Sequence, residues 1–172
     1  MKISAFRSIA RPRVPVPVMH SEEEVSHILG MLKDEQPGMI IELGTCYGGL
    51  TMAMNLTLPS ALIYSFDREY KVGSETLRSL SGNVAICIVP ELTTQPLHVI
   101  LELLGKTKTF LYSDNGDKVK EVEMYLPYLS KGDILGVHDF VGATADRIAP
   151  LVNGLEFFAP ISSSVSCRLW RV

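Results

Sequence analysis

The chain has 172 residues, with 16 Lys and Arg against 19 Asp and Glu, and a formal net charge of -3 at pH 7. That length supports one domain with a core needing neither disulfides nor a structural metal, and the slight acidity offers no broad cationic surface to nucleic acid. Cys46, Cys87 and Cys167 are far apart and mostly within apolar runs, which reads as unpaired thiols, and no apolar run approaches the ~18 to 20 residues that span a membrane, so a soluble, cytoplasmic protein is expected.

Pro12, Pro15 and Pro17 bar a regular helix from residues 1 to 18, so residues 1 to 20 are expected to form an extended arm. Ser21 followed by Glu22, Glu23 and Glu24 is a capping-box start, and Val25, Ile28, Leu29 and Leu32 then share one helical face until Pro37 and Gly38. The remainder alternates: strand 39 to 43, helix from about 48 to 57, strand 61 to 66, helix near 73 to 80 and strand 84 to 89. It continues with helix 95 to 104, strand 108 to 113, helix 118 to 129, strand 133 to 138 and a short helix near 143 to 152. Two last strands, near 155 to 161 and 166 to 171, are joined through Ser162, Ser163 and Ser164 with no room for a crossover helix, so they should pair antiparallel. The expected fold is α/β: a doubly wound, seven-stranded, mostly parallel sheet with a C-terminal antiparallel hairpin.

Residues 38 to 55 are the most informative stretch. An apolar run ends in Glu42, turns through Gly44, Gly48 and Gly49, and enters a helical pattern. Glycine permits positive φ and close approach of a ligand, and the first turn of a helix offers free N–H groups. The spacing Glu-x-Gly-x-x-x-Gly-Gly differs from the Gly-x-Gly-x-x-Gly of dinucleotide sites, so a ligand without pyrophosphate fits better and a nicotinamide enzyme is disfavoured.

In a doubly wound sheet, ligands sit beyond the carboxyl ends of the strands. Those ends carry Glu42 and Gly44, Asp67, Pro90 and Glu91, Asp114 and Asn115, and His138 and Asp139. Asp67, roughly twenty residues beyond the glycine turn, is placed like an acid that binds ribose hydroxyls, the alternative being a loop carboxylate paired with Arg68. Glu42, within an apolar strand, requires a polar ligand or a backbone partner. Asp114 and Asp139 end strands expected to be neighbours roughly 5 Å apart, and two unpaired carboxylates that close would repel unless a cation with oxygen ligands joined them. Asn115 could add a neutral oxygen; alternatively Asp114 and Asn115 form a turn and Asp139 caps the segment at 140 to 144. His138 could be a ligand, a general base or a structural residue. His20, His98 and the methionines at 52 and 54 carry less signal; Tyr47 either lines the pocket or packs.

Ile41 to Thr51, Ser65-Phe66-Asp67 and the terminal hairpin together resemble the class I S-adenosylmethionine-dependent methyltransferases, over nearly the whole chain. The resemblance implies a cofactor pocket in which Gly44, with Thr45, Tyr47 and Gly48 in its turn, holds the methionine end. Asp67, next to Arg68, binds the ribose there, and Glu91 lies near adenine. Phe110 to Asp114, Leu126 to Leu129 and Gly132 to Asp139 further resemble the metal-assisted O-methyltransferases of the catechol, macrocin and cephalosporin-hydroxylase type. That implies magnesium at Asp114 and Asp139, lowering the pKa of a hydroxyl on a small-molecule substrate. The chain departs from many relatives in lacking Asp-Gly-x-His-x-Tyr: it reads Asp114-Asn115-Gly116-Asp117-Lys118, which removes one histidine base and leaves Lys118 or His138 as the general base.

The expected activity is therefore transfer of a methyl group from S-adenosylmethionine to a small-molecule hydroxyl. The rivals are N- or C-methylation, cofactor binding without catalysis, or an interaction domain. Neither nucleic acid nor a membrane is expected as a partner. The chain leaves little room for a substrate cap, so either an open acceptor pocket or a homodimer follows.

Overall fold

The computed structural model describes residues 3–5, 13–90, 92, 97–160 and 162–172, of which 3–5 through their backbone alone. Its elements are β1 (Ile3–Ala5), α1 (Glu22–Glu35), β2 (Met39–Leu43), α2 (Gly49–Thr57), β3 (Leu62–Asp67), α3 (Ser74–Ser79) and β4 (Val84–Ile88). There follow α4 (His98–Leu103), β5 (Thr109–Ser113), α5 (Lys118–Tyr125), β6 (Ile134–Val137), α6 (Gly142–Ile148), β7 (Glu156–Ala159) and β8 (Arg168–Arg171). The strands form one sheet in the order β1-β7-β8-β6-β5-β2-β3-β4. Pairing is parallel throughout except at β8, which runs antiparallel to both β6 and β7. The expected seven strands and C-terminal hairpin are thus present, and β1 adds an eighth at the edge, beside β7.

Local chemistry accounts for the elements. At the start of α1, Ser21 Oγ accepts from Glu24 N at 3.2 Å, and Glu24 Oε2 accepts from Ser21 N at 2.9 Å, closing the capping box. Val25, Ile28, Leu29 and Leu32 on the inner face of α1 are fully buried, each stabilising the fold by about 1.5–3 kcal/mol. Helices α1 and α2 cover one face of the sheet, and α4, α5 and α6 the other. The helix expected at 118 to 129 stops at Tyr125 and tightens into a 3₁₀ turn over Leu126–Tyr128, because Pro127 cannot donate to a continuing α-helix. The segment before α1 is pinned to α2: a Cβ on Gly49 would lie 2.1 Å from Pro17 O, and Val14 and Val18 pack on the core beneath. Cys46, Cys87 and Cys167 carry free thiols; Cys167 is buried and the other two are half-buried. No helix among the described residues is long and apolar enough to cross a membrane.

From β2 the chain steps outward through β3 to β4, then returns to lay β5 and β6 on the other side of β2. The reversal point lies between β2 and β5, where a doubly wound sheet leaves a crevice at its carboxyl edge. Register makes the strand ends level there: Leu43 pairs with Phe66 and Ser113, and Ser113 with Val137. The residues that follow are brought to one edge.

Candidate active site

A cleft of about 360 Å³ opens at this edge, lined by Met19, Gly44, Cys46, Asp67, Arg68, Glu69, Lys71, Asp114, Asn115, Gly116, Lys118, His138 and Asp139. Seven of the residues singled out by sequence thus share one wall system: Asp67, Arg68, Asp114, Asn115, Lys118, His138 and Asp139, with the backbone of Gly44 beside them. A larger cleft of about 520 Å³ lies at the opposite end of the strands, where Lys108 Nζ is 2.7 Å from Glu35 Oε2 and Arg171 is bound to Glu35.

The floor is the turn after β2. Gly44 has φ +112°, and a Cβ there would stand 2.7 Å from Asp114 O, so only glycine lets the turn lie against the end of β5. Cys46, itself at φ +48°, donates its N–H to Asp67 Oδ2 at 2.7 Å, tying the turn to the end of β3. Asp67 Oδ1 accepts from Glu69 N at 3.1 Å. The aspartate is therefore oriented by backbone groups and not by Arg68, whose guanidinium lies over Gly116, where a Cβ would be 3.2 Å from Nη2. Gly48, at φ +80°, caps α2.

Glu42 corrects an expectation. It lies behind the turn, 1% exposed and outside the cleft lining, and two hydroxyls already satisfy it. Thr51 Oγ1 donates to Glu42 Oε2 at 2.5 Å, Ser65 Oγ donates to the same oxygen, and Thr45 Oγ1 lies 2.6 Å from Ser65 Oγ. Burial pushes the Glu42 carboxyl up to about 8, and the two hydroxyl hydrogen bonds only partly offset it. Glu42 and Thr45 thus brace the turn from behind, while Tyr47 is exposed and does not line the cleft. Glu91 lies outside the described residues.

The opposite wall carries most of the charge. His138 Nδ1 is 2.7 Å from Asp114 Oδ1, and His20 Nε2 is 3.2 Å from Asp114 Oδ2. Burial opposes ionisation of Asp114, yet the hydrogen bonds from both histidines hold its carboxyl down at about 2. Burial likewise works against charge on His138, but the hydrogen bond and negative charge of Asp114, with Asp139 and Glu24 behind, raise its pKa above the ordinary imidazole value. Lys118 Nζ lies 3.9 Å from Asp114 Oδ1 and 3.5 Å from Asp139 Oδ2, and donates to Asn115 O at 3.0 Å. The pair Asp114 and Asp139 is therefore not unpaired, as its sequence position suggested: an ammonium and an imidazole already stand between the two carboxylates. Lys118 owes its place to Asp117, which caps α5 by accepting from Lys120 N at 3.2 Å. Asp139 does not cap α6, whose N-cap is Val141; it adopts φ +50° at the mouth of the cleft.

Sequence reasoning gave little weight to His20 and none to Tyr112 and Glu24 as site residues. Tyr112 OH lies 3.0 Å from His20 Nε2, and its ring has room because a Cβ on Gly136 in the next strand would meet it at 2.6 Å. Glu24, besides closing the capping box, accepts from Ser166 N at 3.0 Å and faces His138 Nε2 at 3.6 Å. The available signal was the capping box itself, which fixes how the chain enters α1 and so where residue 20 must lie.

Neither a protein-family model nor a curated protein matches this chain by sequence. Solved structures do match by shape. The methyltransferase PaMTH1 from Podospora anserina, bound to SAH, superposes with a TM-score of 0.63 at 15% identity, over 89% of this chain and 79% of that one. The O-methyltransferase TomG from Streptomyces achromogenes, in complex with SAM, gives 0.65 at 15% identity, over 88% and 80%. A CmcI structure described as Mg-SAM gives 0.67 at 15% identity, over 94% and 76%. This chain has the class I methyltransferase fold. Within that methyltransferase fold, the cleft described above lies at the reversal of strand order.

Proposed function

We propose that this chain is an S-adenosylmethionine-dependent methyltransferase that methylates a hydroxyl group of a small molecule with the help of a divalent cation. The observation that carries the reading is the convergence, on one cleft at the switch point, of a glycine turn, a backbone-oriented Asp67, and Asp114 and Asp139 flanking Lys118. It is supported by neighbours of the same fold that are described with SAH, SAM or Mg-SAM.

In this reading, the turn at Gly44 to Gly48 receives the methionine end of the cofactor. Each Asp67 oxygen accepts one backbone N–H and keeps a lone pair for a ribose hydroxyl. Arg68 flanks the ribose. Asp114, held ionised by two imidazoles, places negative charge in the cleft that receives the positively charged sulfonium. The methyl group passes in line from sulfur to the acceptor oxygen, and the walls of the cleft supply the alignment.

The cation position fits oxygen donors on this edge. Asp114 is ionised, and the Asp139 side chain is 56% exposed at the mouth. Bound there, a divalent cation would supply Lewis acidity toward the acceptor hydroxyl. Lys118 Nζ, only 13% exposed and within 4 Å of both carboxylates as an ammonium, would become the proton acceptor once a cation took its place between them, with His138 holding Asp114 in place.

The test is methyl transfer from labelled S-adenosylmethionine to catechol-type and other hydroxylated acceptors, with and without chelator. Transfer that chelation abolishes, and that Asp114→Asn and Lys118→Met each lower by at least about a hundredfold, supports the reading. Transfer to amines alone, or transfer indifferent to chelation and to Asp114→Asn, overturns it.

A further inference from the structure

We infer that His20, Asp114 and His138 form a mixed nitrogen and oxygen site for one divalent transition metal of the zinc class, in preference to magnesium. The proposal deepens the functional reading, on which it rests for the use made of the ion, but the binding claim itself concerns only these side chains. One ligand atom from each residue lies within 4.8 Å of the other two. The two carboxylate oxygens of Asp114 each face one imidazole, at 3.2 Å for His20 Nε2 and 2.7 Å for His138 Nδ1. The imidazole rings lie side by side with centroids 4.2 Å apart. Donors bound at about 2.0–2.2 Å to a tetrahedral ion stand roughly 3.3–3.6 Å from one another, so an ion replaces the shared protons with small side-chain shifts.

Three features go beyond a hydrogen-bonded cluster. The donors come from three separate parts of the chain, the segment before α1 and the ends of β5 and β6, and converge only through tertiary structure. The His20 side chain is 4% exposed and turns Nε2 into the cluster, 3.2 Å from Asp114 Oδ2 and 3.0 Å from Tyr112 OH, while its Nδ1 has no hydrogen-bond partner among the described residues. His138 turns its other nitrogen toward Glu24 Oε1 at 3.6 Å, and Glu24 is itself fixed by Ser21 and Ser166. A carboxylate anchored behind an imidazole is the outer-shell arrangement that orients a metal-bound histidine.

The donor set selects the ion. Magnesium demands near-octahedral oxygen ligation and retains its waters, whereas imidazole nitrogen suits zinc, cobalt and their neighbours. Three protein donors also leave a coordination position open toward the cleft, where Asp139 and an acceptor oxygen are the available occupants.

The experiment uses the full, untagged chain, stripped with chelator and titrated with zinc, cobalt and magnesium chlorides by calorimetry without any nucleoside. The cobalt form is also read by its visible d–d absorption. We expect one zinc or cobalt per chain at micromolar affinity or tighter, magnesium weaker by at least about a hundredfold, and a cobalt spectrum with nitrogen ligation. His20→Gln, checked for folding by circular dichroism, is expected to weaken zinc by at least about tenfold. Magnesium binding as tight as zinc, no stoichiometric zinc binding to the folded wild-type chain, or unchanged zinc affinity in His20→Gln overturns the site. S-adenosylhomocysteine titrations on the metal-free protein fail or succeed separately, so loss of the methyltransferase reading and loss of this site are distinguishable.

Discussion

Replacing Glu42 with glutamine isolates the energetic consequence of a carboxyl group sealed behind the glycine turn. In the folded chain burial raises its pKa from 4.5 to about 8, while in the unfolded chain it ionises near its ordinary value. Between these two pH values the folded state holds a proton that the unfolded state has released, so stability falls as pH rises and levels off above the folded pKa. At about 1.4 kcal/mol per pH unit, the wild-type chain sheds roughly 3–5 kcal/mol across that window. Glutamine is neutral in both states, and its amide oxygen can still accept from Thr51 and Ser65, so Glu42→Gln should lack this slope. Urea denaturation of both proteins from about pH 5 to about pH 8 measures the difference directly. The wild-type stability should decline against that of the variant by several kcal/mol over the range. A difference independent of pH would mean that Glu42 is ionised in the folded chain, and would refute its assignment as a neutral brace.

Gly44→Ala should abolish cofactor binding measured by calorimetry, because its Cβ would meet Asp114 O at 2.7 Å and its φ of +112° is strained for alanine, at a further cost of about 1–2 kcal/mol in urea melts. Gly49→Ala, whose Cβ would lie 2.1 Å from Pro17 O, should push the segment carrying His20 off α2; limited proteolysis should cut that segment faster than in wild type while α1 and the sheet persist. Glu24, held down at about 2 by its bonds to Ser166 and Ser21 against the opposing effect of burial, contributes stability above its ordinary pKa that is lost as pH falls toward 2, so Glu24→Gln should be destabilised at neutral pH and differ less from wild type in acid.

The alternation of elements and the glycine turn were legible because each rests on local rules: apolar runs of strand length, a capping box at Ser21, and glycines where positive φ is needed. Asp67, Asp114 and Asp139 were legible because strand ends in a doubly wound sheet share an edge. What local pattern could not carry was compensation across the fold. Nothing near Asp114 in sequence reports that His20, ninety-odd residues earlier, shares its carboxylate, or that Lys118 and His138 stand between it and Asp139. Glu42 misled for the same reason, since the hydroxyls that satisfy it come from α2 and β3. The short strand Ile3–Ala5 has no periodicity to read; its pairing with β7 is purely tertiary.

The central claim is that the cleft at the switch point binds the methyl donor through Asp67 and the glycine turn. Calorimetric titration of the purified chain with S-adenosylhomocysteine, with NAD as control, tests it most directly. The account predicts micromolar, one-to-one binding of the nucleoside product, no binding of NAD, and loss of at least about tenfold in affinity in Asp67→Ala. Equal binding of NAD, or no heat from S-adenosylhomocysteine with a folded wild-type chain, would contradict it.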